Sequence, residues 1–115
     1  MTLDTARRAA LSLPEVEEKK HFNIPDFRVN KRIFATLHED KSYAMVKLTP
    51  VDQSVFCSYD KKVIFPVPGG WGRKGATFID LKKVRKDVFL DALTTAWKTV
   101  ATPKQVQKYF PGHDG

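Results

Sequence analysis

Three short strand-like stretches, Asp26–Val29, Arg32–Leu37 and Ser42–Leu48, are separated by only two and four residues. No other feature constrains the fold as strongly. Parallel strands need a crossover of about a dozen residues or more, whereas antiparallel neighbours are joined by tight turns. Asn30-Lys31 suits the first turn because Asn tolerates positive φ, although Lys is not the favoured second residue. His38-Glu39-Asp40-Lys41 makes the second turn. Within Ser42–Leu48 the apolar Ala44, Val46 and Leu48 alternate with Tyr43, Met45 and Lys47, the pattern of a half-buried strand. Arg32–Leu37 and Ser42–Leu48 are therefore predicted to pair as antiparallel neighbours.

Helical and further strand signals surround this core. Leu3, Ala6, Ala10 and Leu13 recur at helical spacing, and Pro14 ends the pattern after about three turns. Glu15-Val16-Glu17-Glu18 stands directly before Lys19-Lys20 and reads as a solvated charged loop. Thr49-Pro50-Val51-Asp52 opens a short helix to Ser58, with a capping hydroxyl, a proline at the first position and an acid in the first turn. Val63–Pro66 and Ala76–Leu81 read as two strands around a glycine-rich loop. From Asp87, the apolar Phe89, Leu93, Ala96, Trp97 and Val100 mark an amphipathic helix. Thr102-Pro103-Lys104-Gln105 is a capping box that opens a last helix ending before Pro111-Gly112. The predicted fold is α+β: an antiparallel β-sheet with helices packed on one face. At 115 residues, without repeat or linker, residues 1–115 form a single domain.

Charge directs the functional reading. Lys61, Lys62, Arg73, Lys74, Lys82, Lys83, Arg85 and Lys86 face one acid, Asp80, in the segment Lys61–Lys86, and this segment carries the whole net charge of +7. A surplus focused in this way makes a local positive field that attracts polyanions. Inside the segment Trp71 sits between glycines beside Arg73-Lys74, where no hydrophobic period supports it as core. It either folds back on the sheet as a lid or stacks on a base or ligand. Phe34, Phe56, Phe89, Trp97 and Phe110 lie on periodic patterns and read as core. No apolar run approaches the roughly 18 residues of a membrane span, so no membrane partner is expected. Arg7-Arg8 precedes only a few apolar residues before Pro14, which argues against a signal peptide. The lone Cys57 cannot form an internal disulfide, which fits a cytoplasmic location.

Motifs for catalysis and cofactors fail on context. Gly70-Trp71-Gly72-Arg73-Lys74-Gly75 spells G-x-G-x-x-G with Asp91 about 20 residues on, yet Ala76–Leu81 after it alternates like a strand. A dinucleotide fingerprint must open a helix in a parallel βαβ unit. Walker-type phosphate-loop order is absent too, because Lys74 is followed by Gly75. His21, His38 and His113 share no ligand spacing with each other or with Cys57, so no metal and no cofactor are expected. Ser54, Ser58 and Cys57 have no neighbouring base, and no catalytic residue is expected.

The chain resembles the MmcQ/YjbR family over nearly its whole length. The resemblance rests on Leu11–Glu18, His21–Val29 and Lys31–Leu37, and continues through Val46–Pro50, Gly70-Trp71-Gly72 and Asp80-Leu81. It implies a frataxin-like (CyaY-like) antiparallel sheet flanked by helices, with two hairpin wings that grip DNA, no catalytic residues and no cofactor. Frataxin-like proteins hold iron through acids on the first helix and the nearby strand; here that helix carries Arg7, Arg8 and only Asp4, so the iron function is not carried over. Relatives often have glycine in the turn where this chain has Asn30-Lys31.

The function expected from these readings is a non-enzymatic, low-specificity DNA-binding domain. Lys31 and Arg32 on the first hairpin and Arg73 and Lys74 in the loop would meet phosphates. Lys82, Lys83, Arg85 and Lys86 would extend the footprint, with Trp71 stacking or wedging. The alternative is a small module for an anionic metabolite or an acidic protein, with the glycine loop as its lid. A long basic surface would favour the first, and a closed pocket under Trp71 the second.

Overall fold

A computed structural model describes residues 1–112, so His113 lies outside the described residues. Five helices and six strands follow one another as α1 (Leu3–Ser12), β1 (Glu17–His21), β2 (Ile24–Val29), β3 (Arg32–His38), β4 (Tyr43–Lys47), α2 (Pro50–Cys57), β5 (Ile64–Pro66), α3 (Gly70–Arg73), β6 (Ala76–Asp80), α4 (Lys86–Val100) and α5 (Pro103–Tyr109). The strands make one sheet in the order β1-β2-β3-β4-β6-β5, and every neighbouring pair is antiparallel. This is the α+β fold predicted from the short turns, and β3 and β4 pair as expected, with Ala35 opposite Val46 and Leu37 opposite Ala44.

Local chemistry accounts for the helix ends. Thr2, Thr49 and Thr102 cap α1, α2 and α5 through their hydroxyls, and Thr102 with Gln105 completes the predicted capping box. Two segments differ from the sequence reading. Glu17–His21 is not a solvated loop but the edge strand β1, paired along its length with β2. Its charged residues conceal the strand, yet charge suits an edge that must not recruit another chain. The glycine-rich loop contains the single-turn helix α3, which no periodic pattern of so short a length could announce.

The two sheet faces differ. α1 and α4 pack on the first, with α4 lying across β3 and β4. There Phe27, Phe34, Ala44, Val46 and Ile79 meet Ala6, Phe89, Leu93 and Trp97, all at 2% exposure or less. Burying each large side chain contributes about 1.5–3 kcal/mol. Phe56 of α2 joins the same core, and Phe110 packs on its margin against Trp97. A bulge decides what reaches the second face. Phe27 pairs with Ala35 but Arg28 pairs with Ile33, so Phe34 is the extra residue of β3. Phe34 and Ala35 both turn inward, and Ile33 is carried to the open face beside Arg28.

Candidate nucleic-acid interface

The open face is built from outward residues of β2, β3, β4 and β6: Arg28, Ile33, Thr36, Met45, Lys47 and Ala76. With Lys31, Arg32, Trp71 and Lys74 they line a cleft of about 530 Å³. Two hairpin ends make its walls. The first is the β2–β3 turn, where Asn30 (φ 56°) and Lys31 (φ 65°) are both left-handed, the geometry of a type I′ turn. Asn bears this conformation easily, but Lys31 occupies a place that favours glycine. The Asn30 amide donates to the Val100 carbonyl at 3.1 Å and to Gln105 at 2.8 Å, which ties the turn to α4 and α5. Gln105 and Tyr109 in turn donate to Glu15 at 3.0 and 2.7 Å. Those bonds, Tyr109's first, hold the Glu15 carboxyl below its ordinary range.

The second wall is the loop between β5 and β6, which presents Trp71. Close backbone approach fixes its path. A Cβ on Gly72 would lie 1.8 Å from the Val67 carbonyl oxygen, and one on Gly75 (φ +115°) 1.8 Å from that of Leu48. The Gln53 side chain is a strut from α2, donating to the carbonyls of Gly72 at 2.8 Å and Ala76 at 3.1 Å. Held this way, Trp71 stays 73% exposed, so it is not packed down as a lid on the sheet. Its ring walls the cleft with the Lys74 ammonium 5.8 Å from its centroid, within cation–π reach.

Five cations and no carboxylate line the cleft. Arg28 is held side-on by the buried Asp26, through Nε to Oδ1 at 2.8 Å and Nη2 to Oδ2 at 3.1 Å. That hydrogen bonding pushes the Arg28 pKa further up, and the remaining N–H groups of the fork stay available. Lys31, Arg32, Lys47 and Lys74 have no ion-pair partner among the described residues. Deeper in the face, Thr36 and His38 bond at 2.9 Å through Nε2, and burial holds the His38 imidazole below its ordinary range. A carboxylate on the other ring nitrogen, which a catalytic triad would need, is missing among the described residues. Nor does any group of three or more His, Cys, Asp or Glu among them converge as metal ligands.

The expected footprint thus divides. Lys31, Arg32, Trp71 and Lys74 come together, joined by Arg28 and Lys47, which the sequence reading did not single out. Arg73 points elsewhere, into a shallow depression with Gln53 and Pro66 to Gly69. Lys82, Lys83, Arg85 and Lys86 lie at the other end of the molecule. They follow Asp80, which pairs with Tyr43, whereas the cleft end of β6 is Ala76 beside Lys47. Helix α4 measures the gap. It starts at Lys86, and its last carbonyl reaches Asn30 after 15 residues, about 21 Å at 1.5 Å per residue. Lys83 and Arg85 instead border a smaller hollow with Tyr59 and Asp60, and Arg85 pairs with Asp87 at 3.0 Å.

The YjbR family model matches residues 11–99, a span that holds both hairpin walls and every residue of the cleft. No curated protein matches the chain. Among solved structures it is similar to the crystal structure of Deinococcus radiodurans protein DR2400, which carries the domain DUF419. The two share 17% identity with a TM-score of 0.77, over 99% of this chain and 93% of that one, a likeness of fold. No helix among the described residues is long and apolar enough to cross a membrane. With a family model covering most of its length and the sheet in place, the chain belongs to the YjbR family.

Proposed function

We propose that this protein is a non-enzymatic, low-specificity nucleic-acid-binding domain of the cytoplasm, with DNA as its first partner. The observation that carries the reading is the meeting of five cations and an exposed tryptophan in one open cleft. Four cations unpaired among the described residues, Lys31 and Arg32 at one hairpin end, Lys74 at the other and Lys47 between them, exceed what a single phosphate needs, and suit a chain of phosphates. Lysines with mobile stems grip the backbone without reading sequence. The long helix α4 buries its apolar face on the sheet and presents no Asn, Gln and Arg cluster for a major groove.

A polarisation titration with labelled duplex DNA, single-stranded DNA and RNA tests the proposal. Binding to at least one is expected, similar across sequences and weakening steeply from about 50 to about 200 mM salt. Absence of binding to all three at low salt overturns it. A second reading, an anionic metabolite or acidic protein, draws on the cleft volume of about 530 Å³, which is within the range of small-ligand sites. Saturable binding of inorganic pyrophosphate at micromolar concentration, with none of the three polymers bound, would select it.

A further inference from the structure

The cleft does not end at its cations. A second hollow of about 220 Å³ shares Thr36, Met45, Trp71 and Ala76 with it and continues over Val67, Phe78 and His38. The change in chemistry between the two is abrupt: five cations line the outer part, and no Lys, Arg, Asp or Glu lines the inner one. Phe78 lies edge-on to His38 at 5.4 Å and near Tyr43 at 5.4 Å, so the floor runs on into an aromatic cluster. The hollow is smaller than the roughly 300–1,000 Å³ of sites that enclose a whole drug-sized ligand.

Building on the nucleic-acid reading, we propose that the cleft takes a single unpaired nucleotide of a single-stranded nucleic acid. Its base lies in the inner hollow against the Trp71 ring, and its flanking phosphates lie on Lys31, Arg32, Lys47 and Lys74. The argument is one of matching halves. A nucleotide is itself divided into a flat apolar ring and an anionic backbone, and the face offers both surfaces in contact. The bases of a duplex are stacked and paired, so their faces cannot reach Trp71 without being extruded, which costs a few kcal/mol of unstacking and unpairing. A single strand presents them freely, and stacking on an exposed aromatic tolerates any base. Thr36 and His38 are the hollow's polar side chains, and the 2.9 Å bond between the hydroxyl and Nε2 occupies one group of each, in keeping with low specificity.

Intrinsic fluorescence makes the test direct, because Trp97 is fully buried and Trp71 is 73% exposed. Oligo-dT, a blunt-ended linear duplex of equal phosphate count and an oligo-dT backbone carrying abasic sites are titrated into the protein at one low salt concentration. The expected result is that oligo-dT binds at least about tenfold tighter than the other two and alone quenches the emission. Trp71→Ala should lower oligo-dT affinity about tenfold or more while leaving the abasic strand unchanged. Circular dichroism of that variant should match the wild type, since the ring is exposed. Equal affinity for all three polymers, or an abasic strand bound as well as oligo-dT, overturns this inference and leaves backbone binding standing. Failure of all three to bind removes the DNA reading, and with RNA also unbound it removes the nucleic-acid reading itself.

Discussion

The two tryptophans of this chain sit on opposite faces of one sheet and have opposite fates. Trp97, on α4, is fully buried, donates its indole N–H to the Pro14 carbonyl at 2.9 Å and meets Tyr109 and Phe110 edge-on. Trp71, on α3, is 73% exposed beside Lys74. The helix-covered face is closed by packing, with its polar groups paired; no buried side-chain nitrogen or oxygen lacks a partner among the described residues. The open face keeps unpaired cations and a bare aromatic ring that contribute little to folding. The difference teaches that the surface that stabilises the fold and the surface proposed for recognition are separate, so substitutions should separate them too.

The sharpest break in this comparison is Trp97→Ala. It should cost about 3–5 kcal/mol by cavity formation and loss of a buried donor, read from denaturant unfolding. Trp71→Ala should change stability by no more than about 0.5 kcal/mol in the same assay. Similar losses for both would mean that Trp71 is part of the core.

Gly75→Ala should come next, at about 1–3 kcal/mol. Its Cβ would meet the Leu48 carbonyl at 1.8 Å, and its φ of +115° suits no other residue. Because the same loop presents Trp71 and Lys74, nucleic-acid affinity should fall along with the unfolding midpoint. Gly70→Ala is the control, since nothing lies within 4 Å of its Cβ position.

Charge reversal of expectation follows at smaller scale. Lys47→Ala with Lys74→Ala should flatten the plot of log affinity against log salt by about 1.4 to 1.8 units, depending on strandedness. Lys82→Ala with Lys83→Ala should leave the slope unchanged, although it removes the same charge from the segment that carries the sequence surplus. Equal slopes for the two pairs would show that the field of the whole protein, and not the cleft, binds the polyanion. Arg73→Ala should behave like the distant pair, because Arg73 lies outside the cleft.

The smallest effect should be the most telling. Lys31→Gly relieves a left-handed lysine and should raise stability by up to about 1 kcal/mol, while weakening nucleic-acid binding. A gain in stability without loss of affinity would detach Lys31 from the interface.

Much of this fold was written locally. The turns Asn30-Lys31 and His38–Lys41, the threonine caps and the 3.6-residue period of Phe89, Leu93, Ala96, Trp97 and Val100 are short-range features, governed by backbone dihedrals and one-sided burial. They determined the antiparallel meander, the helix ends and the covered face. The edge strand β1 escaped because its residues Glu17–His21 are stabilised by main-chain pairing to β2, which leaves no hydrophobic period behind. The outward placement of Met45 and Lys47 was legible from alternation in Ser42–Leu48. Which neighbours they would meet was not.

The register and the bulge decided that. Sequence proximity placed eight basic residues in one segment, Lys61–Lys86, but β6 and the start of α4 carry Lys82–Lys86 to the far end of the sheet. Of those eight, Lys74 alone reaches the cleft, where it meets Arg28, Lys31, Arg32 and Lys47 from the charge-balanced remainder. A chain determines its turns and caps over a few residues, because those depend on local dihedrals and hydrogen bonds. The electrostatic character of a surface depends on distances between strands, and only strand pairing and the inserted Phe34 set those.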